Sequence, residues 1–185
     1  PPVRQKIISV LEAALTAVDP YGAVLHCLQR DGEQLLVGDH CYDLAGFRRI
    51  FVIGAGKAGA PMTAAVEQVL GDRITAGLVV VKTDHGGPAD RVTIVEASPP
   101  MPDAAGVAAG RRILELATEA GPDDLVIALL SGGGSALLVS PADGVTFADK
   151  QGMTNALLAC GATINEINCL RKHCSAVKGG QLAQA

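Results

Sequence analysis

Three stretches of this sequence carry residue types suited to handling an anion. The first is Gly54-Ala55-Gly56-Lys57-Ala58-Gly59, which follows the apolar run Ile50-Phe51-Val52-Ile53 and precedes a helix-like segment. A buried parallel strand emptying into a tight turn at a helix N-terminus reads this way. Such a turn is expected to aim backbone N–H groups outward, where the helix dipole adds about half a positive charge. Lys57 adds a full charge, so a phosphate or a carboxylate is the expected occupant. The spacing Gly54-x-Gly56-x-x-Gly59 also matches the dinucleotide fingerprint. The acidic residue that this fingerprint wants about 20 positions on is badly placed: Asp72 precedes the next strand and Asp84 comes late. A glycine turn that only closes a strand–helix joint is the plainer alternative.

The second stretch is Ser131-Gly132-Gly133-Gly134-Ser135, at the end of another apolar run. Consecutive glycines cost backbone entropy, so something is expected to approach the backbone closely. Two hydroxyls and a run of N–H groups make an anion nest at the carboxyl end of a buried strand. The loop is neither a Walker A loop, which ends in Gly-Lys-Ser or Gly-Lys-Thr, nor a Gly-x-Ser-x-Gly nucleophile elbow. Third come Arg171, Lys172 and His173, with Asn168 before them and Lys178 after. Arginine forks a carboxylate or phosphate, and lysine supplies a point charge; a solvated basic face is the bland reading. Asp84 and His85, at a strand end, could orient a substrate or a metal, or simply shape a loop. Cys169, His173 and Cys174 suggest zinc only weakly, because a fourth ligand is not evident.

The elements that must position these stretches follow from periodicity. Residues 3–19 carry Val3, Ile7, Leu11, Leu15 and Val18 at helical spacing and predict an amphipathic helix covering the sheet, closed by Asp19-Pro20 and Gly22. Ala23–Arg30 and Gln34–Val37 flank Asp31-Gly32 and predict a hairpin beside the main sheet. Ile50–Ile53, Leu78–Val81, Val92–Val95 and Leu125–Leu130 read as the strands of that sheet. Helices fall between them, one ending at Gly71 and one capped by Asp103 and running to about Ala120. Thr146–Asp149 and Thr163–Glu166 read as capping boxes that open two later helices. Strand and helix alternate, so the predicted fold is a doubly wound, mostly parallel α/β sheet with helices on both faces. In such a sheet ligands bind outside the carboxyl ends of the strands, which brings both glycine turns to one crevice.

Composition excludes several classes. A formal net charge of −4, from 15 basic and 19 acidic residues, leaves no electrostatic footprint for nucleic acid. With no Trp, two Tyr and three Phe there is no base-stacking surface. No apolar run reaches the ~18 residues of a membrane span. Five cysteines without a Cys-x-x-Cys pair, and an N-terminus that makes a poor targeting segment, predict reduced thiols in the cytoplasm. Oligomeric state is open, a homodimer included.

Several motifs occur in register: Gly54-Ala55-Gly56-Lys57-Ala58, Ser131–Leu138, Gly161–Asn168, Arg171-Lys172-His173 and Lys178-Gly179-Gly180. Together they resemble the N-terminal, Rossmann-like domain of the class II glycerate kinases, whose members are often labelled hydroxypyruvate reductases. The resemblance implies ATP- and Mg²⁺-dependent phosphorylation of D-glycerate, typically to 2-phosphoglycerate, in a cleft against a second domain. It implies that Lys57 is catalytic, touching the transferred phosphoryl group or the substrate. It further implies that Gly54 and Gly56 bind substrate or phosphate, that residues 131–135 hold phosphate, and that Arg171 and Lys172 meet the glycerate carboxylate or the nucleotide. Ser98-Pro99 stands where the family pattern leads one to expect Gly-His. The chain starts without Met and stops in a helix-like stretch at Gln181–Ala185, which predicts a fragment of a longer two-domain enzyme, inactive alone. Two other readings stay open: an NAD(P)H-dependent hydroxypyruvate reductase, and a non-catalytic anion- or sugar-binding domain.

Overall fold

The computed structural model describes residues 2–98 and 104–185. Asp103, the expected helix cap, and Pro99 of the Ser98-Pro99 departure lie outside the described residues. The chain opens with helix α1 (Pro2–Ala17). Its Val3, Ile7, Leu11 and Leu15 are exposed, so the helix does not cover the sheet as its periodicity predicts. Helix α2 (Pro20–Cys27) follows directly, capped by the Asp19 carboxylate, which accepts from the Gly22 N–H at 2.7 Å. The first helix does end just before Asp19-Pro20, but the same two residues also start the next one, so Gly22 lies inside α2 and Ala23–Cys27 is helical rather than extended. The reason is local, because Asp at the N-cap and Pro at the first helical position are pre-organised for a helix start.

Strands β1 (Leu28–Asp31), β2 (Gln34–Val37) and β3 (His40–Asp43) form a separate antiparallel sheet. Asp31 pairs with Gln34, so the connecting residues are Gly32 and Glu33. The third strand, after a turn at Gly38 with φ +58°, was not expected.

The main sheet is wholly parallel. Strand β4 (Arg49–Ala55) leads into helix α3 (Gly59–Leu70), then β5 (Ala76–Lys82) and β6 (Thr93–Ala97). Helix α4 (Ala104–Glu119) and strand β7 (Asp124–Leu130) complete the alternation. The order across the sheet is β6-β5-β4-β7, so the chain winds outward from β4 and then returns to its other side. The doubly wound α/β expectation is borne out. Alternation along β4 splits its side chains between two cores: Ile50 and Val52 pack with α3 residues Ala60, Val66 and Leu70, while Phe51, Ile53 and Ala55 pack with α4 residues Ala109, Ile113 and Leu116. β7 is not the buried strand its run of apolar residues suggested. It pairs with β4 alone, at the sheet edge, and Leu130 is 65% exposed.

Beyond β7 lie the short turn of helix α5 (Gly134–Leu137), then α6 (Phe147–Ala159) and α7 (Ile164–His173). Both expected capping boxes are present, at Thr146/Asp149 and Thr163/Glu166. Gln181–Ala183 is a single 3-10 turn. Among the described residues no single helix is long and apolar enough to cross a membrane.

One ion-pair cluster ties the starts of β4 and β7 together. The Asp124 side chain is fully buried, and Arg49 donates to both of its oxygens, at 3.2 and 2.7 Å. Arg49 also reaches Glu119 at the end of α4, at 2.7 Å. Donation from Arg49, then from the Gly121 N–H, holds the Asp124 carboxyl well below the usual carboxylate range, outweighing the upward push of burial. A carboxyl depressed in the folded state stabilises above its unfolded value of about 4, and loses that contribution as pH falls through the folded value. Asp124→Asn is expected to melt below wild type at neutral pH, with a gap that narrows progressively below about pH 4. Thermal melts from pH 2 to 7 test this.

Candidate active site

The switch point of the sheet lies between β4 and β7, where winding reverses, and this is where open α/β sheets bind ligands. Both glycine turns are there. Gly54 sits in register with Leu129, and a Cβ on it would stand 2.3 Å from the Leu129 carbonyl oxygen. Gly56 has φ +147°, and a Cβ on it would stand 2.0 Å from Ser131 Oγ. These two positions take glycine because the second loop is packed against them. Gly56 donates its N–H to Val80 O at 2.9 Å, Lys57 to Gly132 O at 2.9 Å, and Ala58 to Ser131 Oγ at 3.1 Å. The expectation that the first turn aims its N–H groups at a ligand is therefore corrected. Those donors are satisfied by β5 and by the second loop, as partly buried backbone groups must be.

The free amides belong to the second loop. Ser131 N–H donates to Ala55 O and Gly134 N–H to Ser131 O, but the N–H groups of Gly132 and Gly133 have no acceptor among the described residues. Gly133 takes φ +87°, and the Lys57 stem lies across its open side. Lys57 itself is exposed, and its ammonium makes no ion pair among the described residues.

Beside this loop opens a cavity of about 660 Å³ lined by Ser131, Gly134 and Ser135 on one side and by Asn168, Arg171, Lys172 and Lys178 on the other. The two sides are tied together by cations on carbonyls. Arg171 donates to Ser135 O at 3.2 Å, and Lys178 Nζ donates to Ser135 O at 2.7 Å and to Leu138 O at 3.0 Å. Burial, then the neighbouring charges of Arg171 and Lys150, push the Lys178 ammonium down to about 8. Lys150 was not anticipated from sequence. It is buried to 6% exposure on α6, and its Nζ donates to Cys174 O at 3.2 Å. Burial and Arg171 lower its pKa too. The apolar residues of α6 do not form a clear face around Lys150, so no periodicity marks it as an inward lysine.

Other predicted residues lie elsewhere. Asp84, with φ +63°, and His85 form a turn after β5, where His85 Nδ1 meets Thr83 O at 3.1 Å. Neither lines the cavity. His173 Nδ1 meets Cys169 O at 2.9 Å and faces an adjoining small cavity shared with Lys172 and Lys178. Among the described residues no group of three or more His, Cys, Asp or Glu side chains could hold a metal ion. No carboxylate lines the main cavity. The donor set present does not fit Mg²⁺, and no step is assigned to it.

Fold and site together define a doubly wound α/β domain with a cation-lined cavity at its switch point. The chain belongs to the family described as "Domain of unknown function (DUF4147)", which matches residues 6–185 and forms the N-terminal region of class II glycerate kinases. It is 45% identical over 183 residues to a protein of Thermotoga maritima named D-glycerate 2-kinase, covering 98% of this chain and 40% of that relative. It is 44% identical over 182 residues to an Agrobacterium vitis protein provisionally named a hydroxypyruvate reductase, covering 98% of this chain and 38% of that one. A solved glycerate kinase structure from T. maritima superimposes with a TM-score of 0.82 at 37% identity, covering all of this chain and 42% of that one. The chain thus spans about two fifths of the relatives it matches.

Lys178 yields a pH prediction. Between about pH 8 and the unfolded lysine value of about 10.4, the folded state binds fewer protons than the unfolded state, so stability rises with pH. Denaturant melts are expected to show this rise in wild type and its loss in Lys178→Met.

Proposed function

We propose that this chain forms one wall of the phosphoryl-transfer site of a glycerate 2-kinase. ATP is the donor, D-glycerate the acceptor and 2-phosphoglycerate the product. The observation that carries the reading is the cavity at the carboxyl ends of β4 and β7, which sets Arg171, Lys172 and Lys178 opposite Ser131 and Ser135 with no carboxylate lining it; Lys57 and the free amides of Gly132 and Gly133 belong to the same loops but do not line it. Phosphoryl transfer asks a protein for positioning and for neutralisation of spreading negative charge, and little else. The names of the relatives support the same chemistry.

In this reading Lys57, lying over Gly133, contacts the transferred phosphoryl group. The Gly132 and Gly133 amides, with the hydroxyls of Ser131 and Ser135, cradle phosphate oxygens. Gly54 and Gly56 serve indirectly, by letting the second loop seat against β4. Arg171 and Lys172 face the glycerate carboxylate or the nucleotide, with Asn168 beside them. The reaction takes place in a cleft closed by a second domain, so the chain alone is inactive. Five free thiols suit a cytoplasmic setting.

A second reading, an NAD(P)H-dependent hydroxypyruvate reductase, is favoured only by the Gly54–Gly59 spacing and the provisional name of some relatives. A coupled assay on the two-domain enzyme separates them. Glycerate-dependent ADP release from ATP with Mg²⁺, without NADH oxidation on hydroxypyruvate, is the expected result. The reverse pattern would overturn the kinase. Silence in both assays would point to a binding domain. Lys57→Ala is expected to lower kcat by about 10²–10³, the usual loss of a charge-stabilising donor; unchanged turnover would remove Lys57 from the chemistry.

A further inference from the structure

Lys150, Arg171 and Lys178 converge from α6, α7 and the segment after α7. Arg171 and Lys178 share the Ser135 carbonyl, at 3.2 and 2.7 Å. Lys150 lies behind them, buried to 6% exposure and close enough for its charge to act on Lys178. None of the three makes an ion pair among the described residues; their acceptors are the carbonyls of Ser135, Leu138 and Cys174. Carbonyl dipoles only partly offset the charges of buried Lys150 and half-buried Arg171 and Lys178, and burying a cation without a counter-charge is among the costlier arrangements a fold tolerates. A singly charged carboxylate would leave most of this positive charge unbalanced. A doubly charged oxyanion would not. The donors to receive it remain free, since an ammonium has three N–H groups and Lys178 uses two of them.

We propose that the part of the cavity at Ser135, Arg171 and Lys178 is a subsite for a multiply charged phosphate group, in preference to a carboxylate, and that buried Lys150 is the positioning residue that sets this preference through its charge. The inference rests on the kinase reading only for the source of the phosphate, which is the nucleotide or the phosphorylated product. The charged and titratable groups facing Lys178 are Lys150 from α6 and Arg171, Lys172, Cys169 and His173 from α7. Every basic member of that set favours an incoming anion. Bound phosphate raises the proton affinity of Lys178, so binding near pH 8.5 takes up protons, whereas at pH 6.5, where Lys178 is already charged, it takes up none there.

The test is calorimetric titration of inorganic phosphate and of acetate into the protein, in buffers of different ionisation enthalpy. Phosphate is expected to bind at least tenfold more tightly than acetate, with proton uptake at pH 8.5. Lys150→Met keeps the stem, and the Cys174 carbonyl still accepts from the Ala142 N–H at 3.3 Å. This variant is expected to lose at least tenfold in phosphate affinity, to change little toward acetate, and to melt no lower than wild type without anion; Lys150→Arg restores phosphate binding. Equal affinity of wild type for the two anions would overturn the proposal whether or not the variants fold, and so would unchanged phosphate affinity in folded Lys150→Met. Competition by ADP and by 2-phosphoglycerate then identifies the source. Phosphate binding here, with no glycerate-dependent turnover by the two-domain enzyme, would sink the kinase reading and leave the subsite standing.

Discussion

The backbone N–H of Lys57 donates to the carbonyl of Gly132, and the Ala58 N–H donates to Ser131 Oγ. Those two bonds lock the end of β4 to the end of β7, and the rest of the site depends on the lock. They can form only because β4 and β7 are neighbours in the sheet and because Gly54 and Gly56 lack side chains where Leu129 and Ser131 approach. Once the first turn has spent its donors in this way, the Gly132 and Gly133 amides stay free at the carboxyl edge. The glycine-rich segments divide the labour, one clamping and the other presenting.

The opposite wall of the cavity is held by charge on backbone. Arg171 and Lys178 reach across to Ser135 and Leu138, and Lys150 holds Cys174 from behind. A carboxylate among them would have been the cheaper solution for stability, as the Arg49–Asp124 cluster at the other end of the same strands demonstrates. There, each arginine–carboxylate contact neutralises charge and pins β4 to β7. The two ends of one strand pair thus show opposite electrostatics: closed and neutralised at the start, open and cationic at the finish.

How much of this was legible in the sequence depended on how local the determining physics is. The four parallel strands read directly from apolar runs, and the capping boxes at Thr146 and Thr163 from residues three apart, because both signals are complete within one segment. Asp19-Pro20 was read only as a helix stop, which it is, but the same residues also start the next helix, and that second role depends on the segment that follows. The half-exposed state of β7 was hidden, since an apolar run reports hydrophobicity and not which neighbours the strand finds. Lys150 was hidden for a related reason: its burial depends on α7 and the segment after it, brought there by the Pro141–Ser175 bridge. The exposed apolar face of α1 carries the same lesson in reverse, as periodicity states which face wants cover without supplying the cover.

The Gly54-x-Gly56-x-x-Gly59 spacing shows why a motif has to be read with its neighbours. In a dinucleotide fold the glycines make room for a pyrophosphate and for helix–strand packing. Here Gly59 does the second of these, since a Cβ on it would stand 2.7 Å from Val79 Cγ1. The space that Gly54 and Gly56 leave is filled by Leu129 and Ser131, atoms of the same chain. A pyrophosphate settling on this turn would have to displace the second loop and break the bonds from Lys57 and Ala58 to Gly132 and Ser131. An anion meeting Gly132 and Gly133 has to break none of them. The cheaper path for an anion lies one strand over from the fingerprint, toward the cations of α7.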